Sequence, residues 1–311
     1  MRLGAVSGRS HPFTLRQLQY ALAVAELRSF RRAAEVCRVA QPSLSVQVAQ
    51  LEDVLGVRLF ERLPRGVLVT ERGAAILERA RRILTGADDL LDAIQRSRDP
   101  LSGTLRIGVI PTIAPYLLPE AAKALRKTYP RLQLFWVEDK TRTLVECVTS
   151  GELDAAILAR ESELGDLAQE PLGRDAFLLA VPTDHRLARA REPVPAEVLD
   201  GETVLLLDDG HCFRDQALAV CRRSGADEAS VRATSLSTLA QMVAGGAGVT
   251  LLPSIAVAAE NRARGLAIRR FGVRGPARTL VLIFRETSPA ADTLRALGKT
   301  LRDTVARILA R

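Results

Sequence analysis

Near the start of the chain, apolar residues recur at helical spacing. Leu15, Leu18, Leu22 and Ala25 predict a helix over Leu15–Leu27, and Phe30, Ala33, Ala34 and Cys37 predict a shorter one. A third is expected from Pro42, with Leu44, Val48, Leu51 and Leu55 as its buried stripe and Gly56 as its stop. The opposite face of that helix, Ser43, Val46, Gln47 and Gln50, is short or polar and carries no acid before Glu52. A helix that enters a major groove needs such a face, because a carboxylate there would meet phosphates. Arg58–Arg62 and Val67–Thr70 then read as a hairpin around Leu63-Pro64-Arg65-Gly66, with Arg65 at a tip suited to a minor groove.

Beyond the hairpin the period changes. Thr70 is placed to cap a long helix in which Ile76, Ala80, Ile83, Ala87, Leu90 and Ile94 repeat at alternating spacings of four and three, flanked by Leu77, Leu84 and Leu91. Such a seam suits a partner helix. Ser97 to Thr104, with Pro100 and Gly103, reads as a hinge. The remaining chain alternates. Strands are predicted at Leu105–Ile110, Leu132–Val137, Ala155–Leu158, Ala176–Val181, Thr203–Leu207, Gly248–Leu252 and Thr279–Phe284. Helices are predicted at Tyr116–Lys127, Leu144–Ser150, Leu236–Ala244 and Pro289–Leu309. The pattern implies α/β architecture with parallel-rich sheets, arranged as two lobes around a cleft. Gly245-Gly246-Ala247-Gly248 precedes a strand, so it is a tight connection and no nucleotide fingerprint.

Charge adds a direction. The net charge is +8, and the first 66 residues carry ten arginines against five acids, which suggests a polyanionic partner at that end. No stretch has the length of a membrane span or the form of a signal peptide, so a cytoplasmic location is expected. Four cysteines in 311 residues make no disulfide framework, and no Cys/His spacing suits a metal. Neither a metal nor another cofactor is expected.

Two of the cysteines draw attention. Cys212 and Cys221 lie in a segment of helical character that follows the Asp208-Asp209-Gly210 turn, with Gly225 as its stop. One continuous helix would separate them by about 13 Å along its axis and point them to opposite faces. A disulfide needs Cα atoms within about 7 Å, so bonding would require the segment to be remodelled, as a redox switch requires. The same spacing equally suits two unrelated buried thiols that pack as small apolar groups.

Phe30-Arg31-Arg32-Ala33-Ala34, Gln41-Pro42-Ser43-Leu44-Ser45, Leu51-Glu52, Leu55-Gly56 and Leu59-Phe60-Glu61-Arg62 resemble the winged helix-turn-helix of LysR-type transcriptional regulators. In the remainder, Ile110-Pro111-Thr112, Pro115-Tyr116-Leu117-Leu118-Pro119, Asp209-Gly210-His211-Cys212, Arg214-Asp215-Gln216-Ala217 with Cys221, Arg232–Leu236 and Gly248–Pro253 resemble the peroxide-sensing branch of that family. The dozen residues before Phe13 lie outside the resemblance. It implies a DNA-binding head over residues 14–70, a dimerisation helix over 71–96, a hinge over 97–104, and a two-lobed, periplasmic-binding-protein-like sensor over 105–311. The implied function is a transcription factor, not an enzyme, that senses hydrogen peroxide and controls oxidative-stress genes. It would act as a dimer of dimers on double-stranded promoter DNA, in contact with RNA polymerase.

Residue roles follow from the same resemblance. Cys212 is the thiol attacked by peroxide, and Cys221 resolves the sulfenic acid as a disulfide. Thr112, Thr141, His211, Arg214, Asp215 and Arg278 form the peroxide pocket, with Asp215 relaying a proton. Gln41, Pro42, Ser43, Ser45, Gln47 and Arg65 contact DNA. Cys37 and Cys147 are core residues. The competing expectations are a LysR-type regulator that binds a small metabolite in the cleft, and a thiol peroxidase.

Overall fold

The computed structural model describes residues 11–63, 66–98, 101–160, 164–210, 212–272 and 275–310, with side chains omitted for 89, 91–98, 230 and 231. The chain divides into two compact units, Met1–Leu91 and Asp92–Arg311.

The first unit packs α1 (Leu15–Leu27), α2 (Phe30–Val36) and α3 (Gln41–Leu55) beside a hairpin of β1 (Phe60–Leu63) and β2 (Gly66–Val69). Thr14 and Gln17 cap α1 reciprocally, and Ser29 caps α2, so one orphan N–H group at each helix start is satisfied by the cap side chain. The α3 stripe is buried as expected at Leu44, Val48 and Leu51, worth about 1.5–3 kcal/mol each. The α1 stripe is the expected one at Leu18 and Leu22, with Ala25 partly buried, but not at its start. Leu15 is 46% exposed, and the inward residues are Leu18, Tyr20, Ala21, Leu22 and Val24, because α2, α3 and β2 all pack on this helix.

α4 runs from Glu71 to Arg98, with Thr70 Oγ1 accepting from Gly73 N at 2.9 Å. Its first turns lie on their own head: Leu77 and Ala80 belong to the head core, and Ile76 and Leu84 pack partly against it. Farther along, Ile83 and Leu90 are exposed. The expected seam thus divides between an inward half and an outward half. Ile94 and Leu91 fall among the side chains left undescribed.

The second unit contains β3 (Gly103–Val109), α5 (Ala114–Thr128), β4 (Leu132–Glu138), α6 (Thr141–Ser150), β5 (Ala155–Ala159), β6 (Ala168–Pro182), β7 (Thr203–Leu207), α7 (Cys212–Ser224), β8 (Asp227–Ala233), α8 (Leu236–Ala244), β9 (Val249–Pro253), α9 (Ser254–Glu260), β10 (Leu266–Arg270), β11 (Ala277–Phe284) and α10 (Ala291–Leu309). They build one nine-stranded sheet in the order β4-β3-β5-β11-β6-β9-β7-β8, with β10 on β6. The sheet is mixed. Two parallel triplets, β4-β3-β5 and β9-β7-β8, are joined by antiparallel β11 and β6. Each triplet carries its own core, so the unit has two lobes sharing a spine. β6 extends well before the expected Ala176, through Gln169, Glu170, Pro171 and Gly173, residues without an apolar signature. Their partners on β11 hold them in the sheet.

Candidate functional site

Three turns meet where the lobes join. The β3–α5 turn brings Ile110, Pro111 and Thr112, the start of α6 brings Lys140 and Thr141, and the β7–α7 turn brings Gly210 with Cys212, the first residue of α7. Together they line a cavity of about 10 Å³, room for one water-sized molecule. The first residues of α6 and α7 are part of this lining, so the positive ends of two helix dipoles lie at the cavity and favour an anion there, a thiolate included.

Two side chains of the lining stand out. Thr141 Oγ1 is buried with no hydrogen-bond partner among the described residues, a costly state that a polar guest relieves. Lys140 Nζ donates to Asp209 O at 2.9 Å, spanning from one lobe to the other over the turn. Gly210 makes that passage possible: its φ is +86°, and a Cβ there would come within 3.0 Å of Lys140 Nζ. Lys140 was not anticipated. Its signal is purely tertiary, since nothing around Asp139-Lys140 in the sequence points to the distant Gly210.

Cys212 and Cys221 sit on the same uninterrupted helix, and the structure contains both as thiols. They face opposite ways. Cys212 is part of the core of the first lobe, Cys221 of the second. Between them, Phe213 is 1% exposed and meets the edge of Phe177 at 5.0 Å. Burial pushes the Cys221 thiol up to about 11. A thiol protonated in the fold at a pH where the unfolded chain has lost its proton stabilises the fold below about 9 and loses that contribution as pH rises toward 11. Urea unfolding should therefore show a steeper loss of stability from pH 9 to 11 in the natural chain than in Cys221→Ala. Equal slopes would remove the thiol as the cause.

The remaining expected pocket residues separate into groups. Arg278 lies one bond away: Nη1 donates to Thr112 Oγ1 at 2.7 Å and Nη2 to Thr112 O at 3.0 Å. Arg214 is elsewhere. Its buried guanidinium binds Asp209 at 2.9 Å, Glu228 at 2.8 Å and Leu207 O at 3.1 Å, clamping the β7–α7 turn to β8. Asp215 is exposed on the outer side of α7. Arg214, two residues after Cys212, is turned by about 200° and so faces away from the cavity, whereas Asp215, at about 300°, returns to the side of Cys212 yet is exposed and outside the cavity lining. His211 lies outside the described residues.

In the head, Gln41, Pro42 and Ser43 are exposed at the start of α3, with Ser45 and Gln47 half-buried beside them. Ser45 Oγ accepts from Arg62 Nη2 at 2.8 Å, and Arg62 stacks over the Phe30 ring at 4.5 Å, so β1 braces the exposed face of α3. Arg65 lies outside the described residues. Glu52 is turned inward, accepting from Leu59 N at 2.6 Å and Phe60 N at 3.1 Å. Among the described residues no acidic, histidine or cysteine cluster could hold a metal, and no helix is long and apolar enough to cross a membrane.

A helix-turn-helix head followed by a two-lobed α/β unit defines a class of bacterial regulator. The description "Bacterial regulatory helix-turn-helix protein, lysR family" matches residues 15–74, and "LysR substrate binding domain" matches residues 98–306, so the chain belongs to the LysR family of DNA-binding regulators. Within it, the chain is 43% identical over 290 residues to a hydrogen peroxide-inducible genes activator of Pectobacterium carotovorum subsp. carotovorum, covering 93% of this chain and 96% of that one. Full-length OxyR from Pseudomonas aeruginosa, solved as a cysteine variant, is 36% identical, with a TM-score of 0.75 and coverage of 94% of this chain and 96% of that one. A hydrogen-peroxide-bound OxyR variant from Corynebacterium glutamicum is 34% identical, with a TM-score of 0.67 and coverage of 97% and 95%.

Proposed function

We propose that this chain is a peroxide-sensing transcription factor whose switch is reversible bonding of Cys212 to Cys221. The observation that carries the reading is the position of Cys212: first residue of α7, on a cavity too small for most metabolites, beside the partnerless hydroxyl of Thr141. The similarity to peroxide-inducible activators supports it. The Cys212 thiolate attacks one oxygen of hydrogen peroxide, an S–O bond forms as the O–O bond breaks, and hydroxide leaves to take up a proton as water. Cys221, as thiolate, then attacks the sulfenic sulfur. The S–S bond forms, the S–O bond breaks, and a second hydroxide leaves. Two electrons pass from the thiols to the peroxide. Arg214 holds the turn before α7 in its reduced form, and the switch has to break that clamp.

Brief exposure to low peroxide followed by tryptic mass spectrometry tests the reading. A Cys212–Cys221 linkage is expected, with Cys37 and Cys147 still alkylatable. Oxidation that begins at Cys37 or Cys147, or no linkage at all, would favour the metabolite-responsive regulator.

The output side is proposed on the same footing. Gln41, Pro42, Ser43, Ser45 and Gln47, with Arg65, contact promoter DNA in the cytoplasm; residues 14–70 form the head, 71–96 the dimerisation helix, 97–104 the hinge and 105–311 the sensor. The exposed residues Ile83 and Leu90 of α4 meet a second copy. Dimers pair into a tetramer, and oxidation re-spaces the heads and changes the contact with RNA polymerase. Ile83→Asp should leave each head folded, since Ile83 is outside its core, while shifting the protein to monomer in sedimentation. A dimer that persists in that variant places the seam elsewhere.

A further inference from the structure

We propose that Asp175 is a positioning residue of the peroxide site, acting through Arg278 to turn the Thr112 hydroxyl into a hydrogen-bond donor toward the cavity. The inference rests on the sensor reading above. Asp175 on β6 and Arg278 on β11 are direct cross-strand partners in antiparallel register, at the join between the lobes. Their side chains are both 0% exposed, and Arg278 Nε meets Asp175 Oδ2 at 2.9 Å. The other carboxylate oxygen is held from α9: Asp175 Oδ1 accepts from Ile255 N at 3.1 Å. A carboxylate fixed at both oxygens fixes the guanidinium plane, which is further confined by the Phe213 ring at 5.5 Å.

The consequence falls on Thr112. A guanidinium has N–H donors and no acceptor, so the 2.7 Å contact from Arg278 Nη1 can only be received by the Thr112 oxygen. The backbone carbonyl of the same residue receives Nη2. The single hydroxyl hydrogen of Thr112 is then left to point elsewhere, and Thr112 lines the cavity. A peroxide there accepts a hydrogen bond from Thr112, which strengthens as negative charge develops on the departing oxygen. Thr141, buried without a partner, remains able to donate or accept. Asp175 touches none of the reacting atoms; its effect is the polarity of a hydroxyl it does not contact.

The test uses the full-length reduced protein and the pH profile of Cys212 oxidation by hydrogen peroxide. The midpoint reports formation of the thiolate, and the high-pH plateau reports how well the peroxide is held. Asp175→Asn should lower the plateau about tenfold, the worth of one such hydrogen bond, without raising the midpoint. Thr112→Val should do the same and Thr112→Ser should restore the natural plateau. Combined, Asp175→Asn and Thr112→Val should lose no more than the stronger single change, because both remove one interaction. Losses that multiply, an unchanged plateau in either single variant, or a raised midpoint with the plateau intact would overturn the proposal. Should Asp175→Asn fail to fold, Asp175→Glu, which displaces the guanidinium by a methylene, replaces it with the same plateau loss and coupling expected. Absence of Cys212 oxidation in the natural protein would instead sink the sensor reading itself, and is seen before any variant is compared.

Discussion

Cys212→Ser should abolish peroxide-dependent disulfide formation and the transcriptional response, while Cys221→Ser should stop the reaction at a sulfenic acid on Cys212. The asymmetry follows from the two surroundings. Cys212, the first residue of α7, opens onto a cavity also lined by the first residue of α6, beside the positive ends of both helix dipoles. Cys221 is 2% exposed in an apolar core, where burial opposes the anion. Cys221 therefore cannot begin the reaction, and it can only finish it after leaving its core. The helix must open first, because nine residues of regular helix hold the sulfurs about 13 Å apart along its axis. Hydrogen exchange across Phe213–Val220 should rise or redistribute on oxidation. A normal response from Cys212→Ser, or oxidised protein with unaltered exchange in that stretch, would overturn this account.

Glu52→Ala should unfold much of the head at physiological temperature and with it abolish DNA binding. The carboxylate accepts from two backbone N–H groups at the start of β1 and meets Arg58 at 3.4 Å. Leaving two buried N–H groups unsatisfied costs about 1–3 kcal/mol each. A head of this size has roughly 3–9 kcal/mol of stability in total, so the loss is a large fraction of it. The melting transition should fall by at least about 10 °C, with a much smaller drop for Glu52→Gln, whose amide oxygen still accepts. An Ala variant that melts with the natural chain would show that the head does not depend on this carboxylate.

Glu52 also marks a limit of what the chain discloses. In the sequence it is the first acid on the polar side of α3, and nothing local says that it turns inward to meet a strand seven residues on. The helices of the head were legible because their stripes, caps and stops are local. In the sensor, β3, β5, β7 and β9 were legible as apolar runs. β8, β10 and the first half of β6 were not, because strands that lie at an edge or are held by their neighbours need no apolar pattern of their own. The site divides in the same way. Thr112, Thr141 and Cys212 do line one cavity, and Arg278 reaches Thr112. Arg214 and Asp215, which the resemblance places in the pocket, lie outside its lining, because Arg214 is drawn to Asp209 and Glu228 and Asp215 stays exposed. Lys140 and Asp175 left no trace in the sequence, since their partners Asp209 and Arg278 lie 69 and 103 positions away.

The placement of the two sulfurs in separate cores gives the proposed switch a resting position. Reduced, each thiol fills a place in its own lobe, and the helix between them is whole. Bonded, at least one place must be vacated and helical turns given up, so the oxidised form is held against the packing preference of the chain by one covalent bond. Cleavage of that bond by a reductant leaves the chain to rewind without assistance. The duration of the signal is then governed by the supply of reductant, and its onset by the oxidant. In the proposed switch, a single helix with one sulfur on each face would thus work as a self-resetting timer.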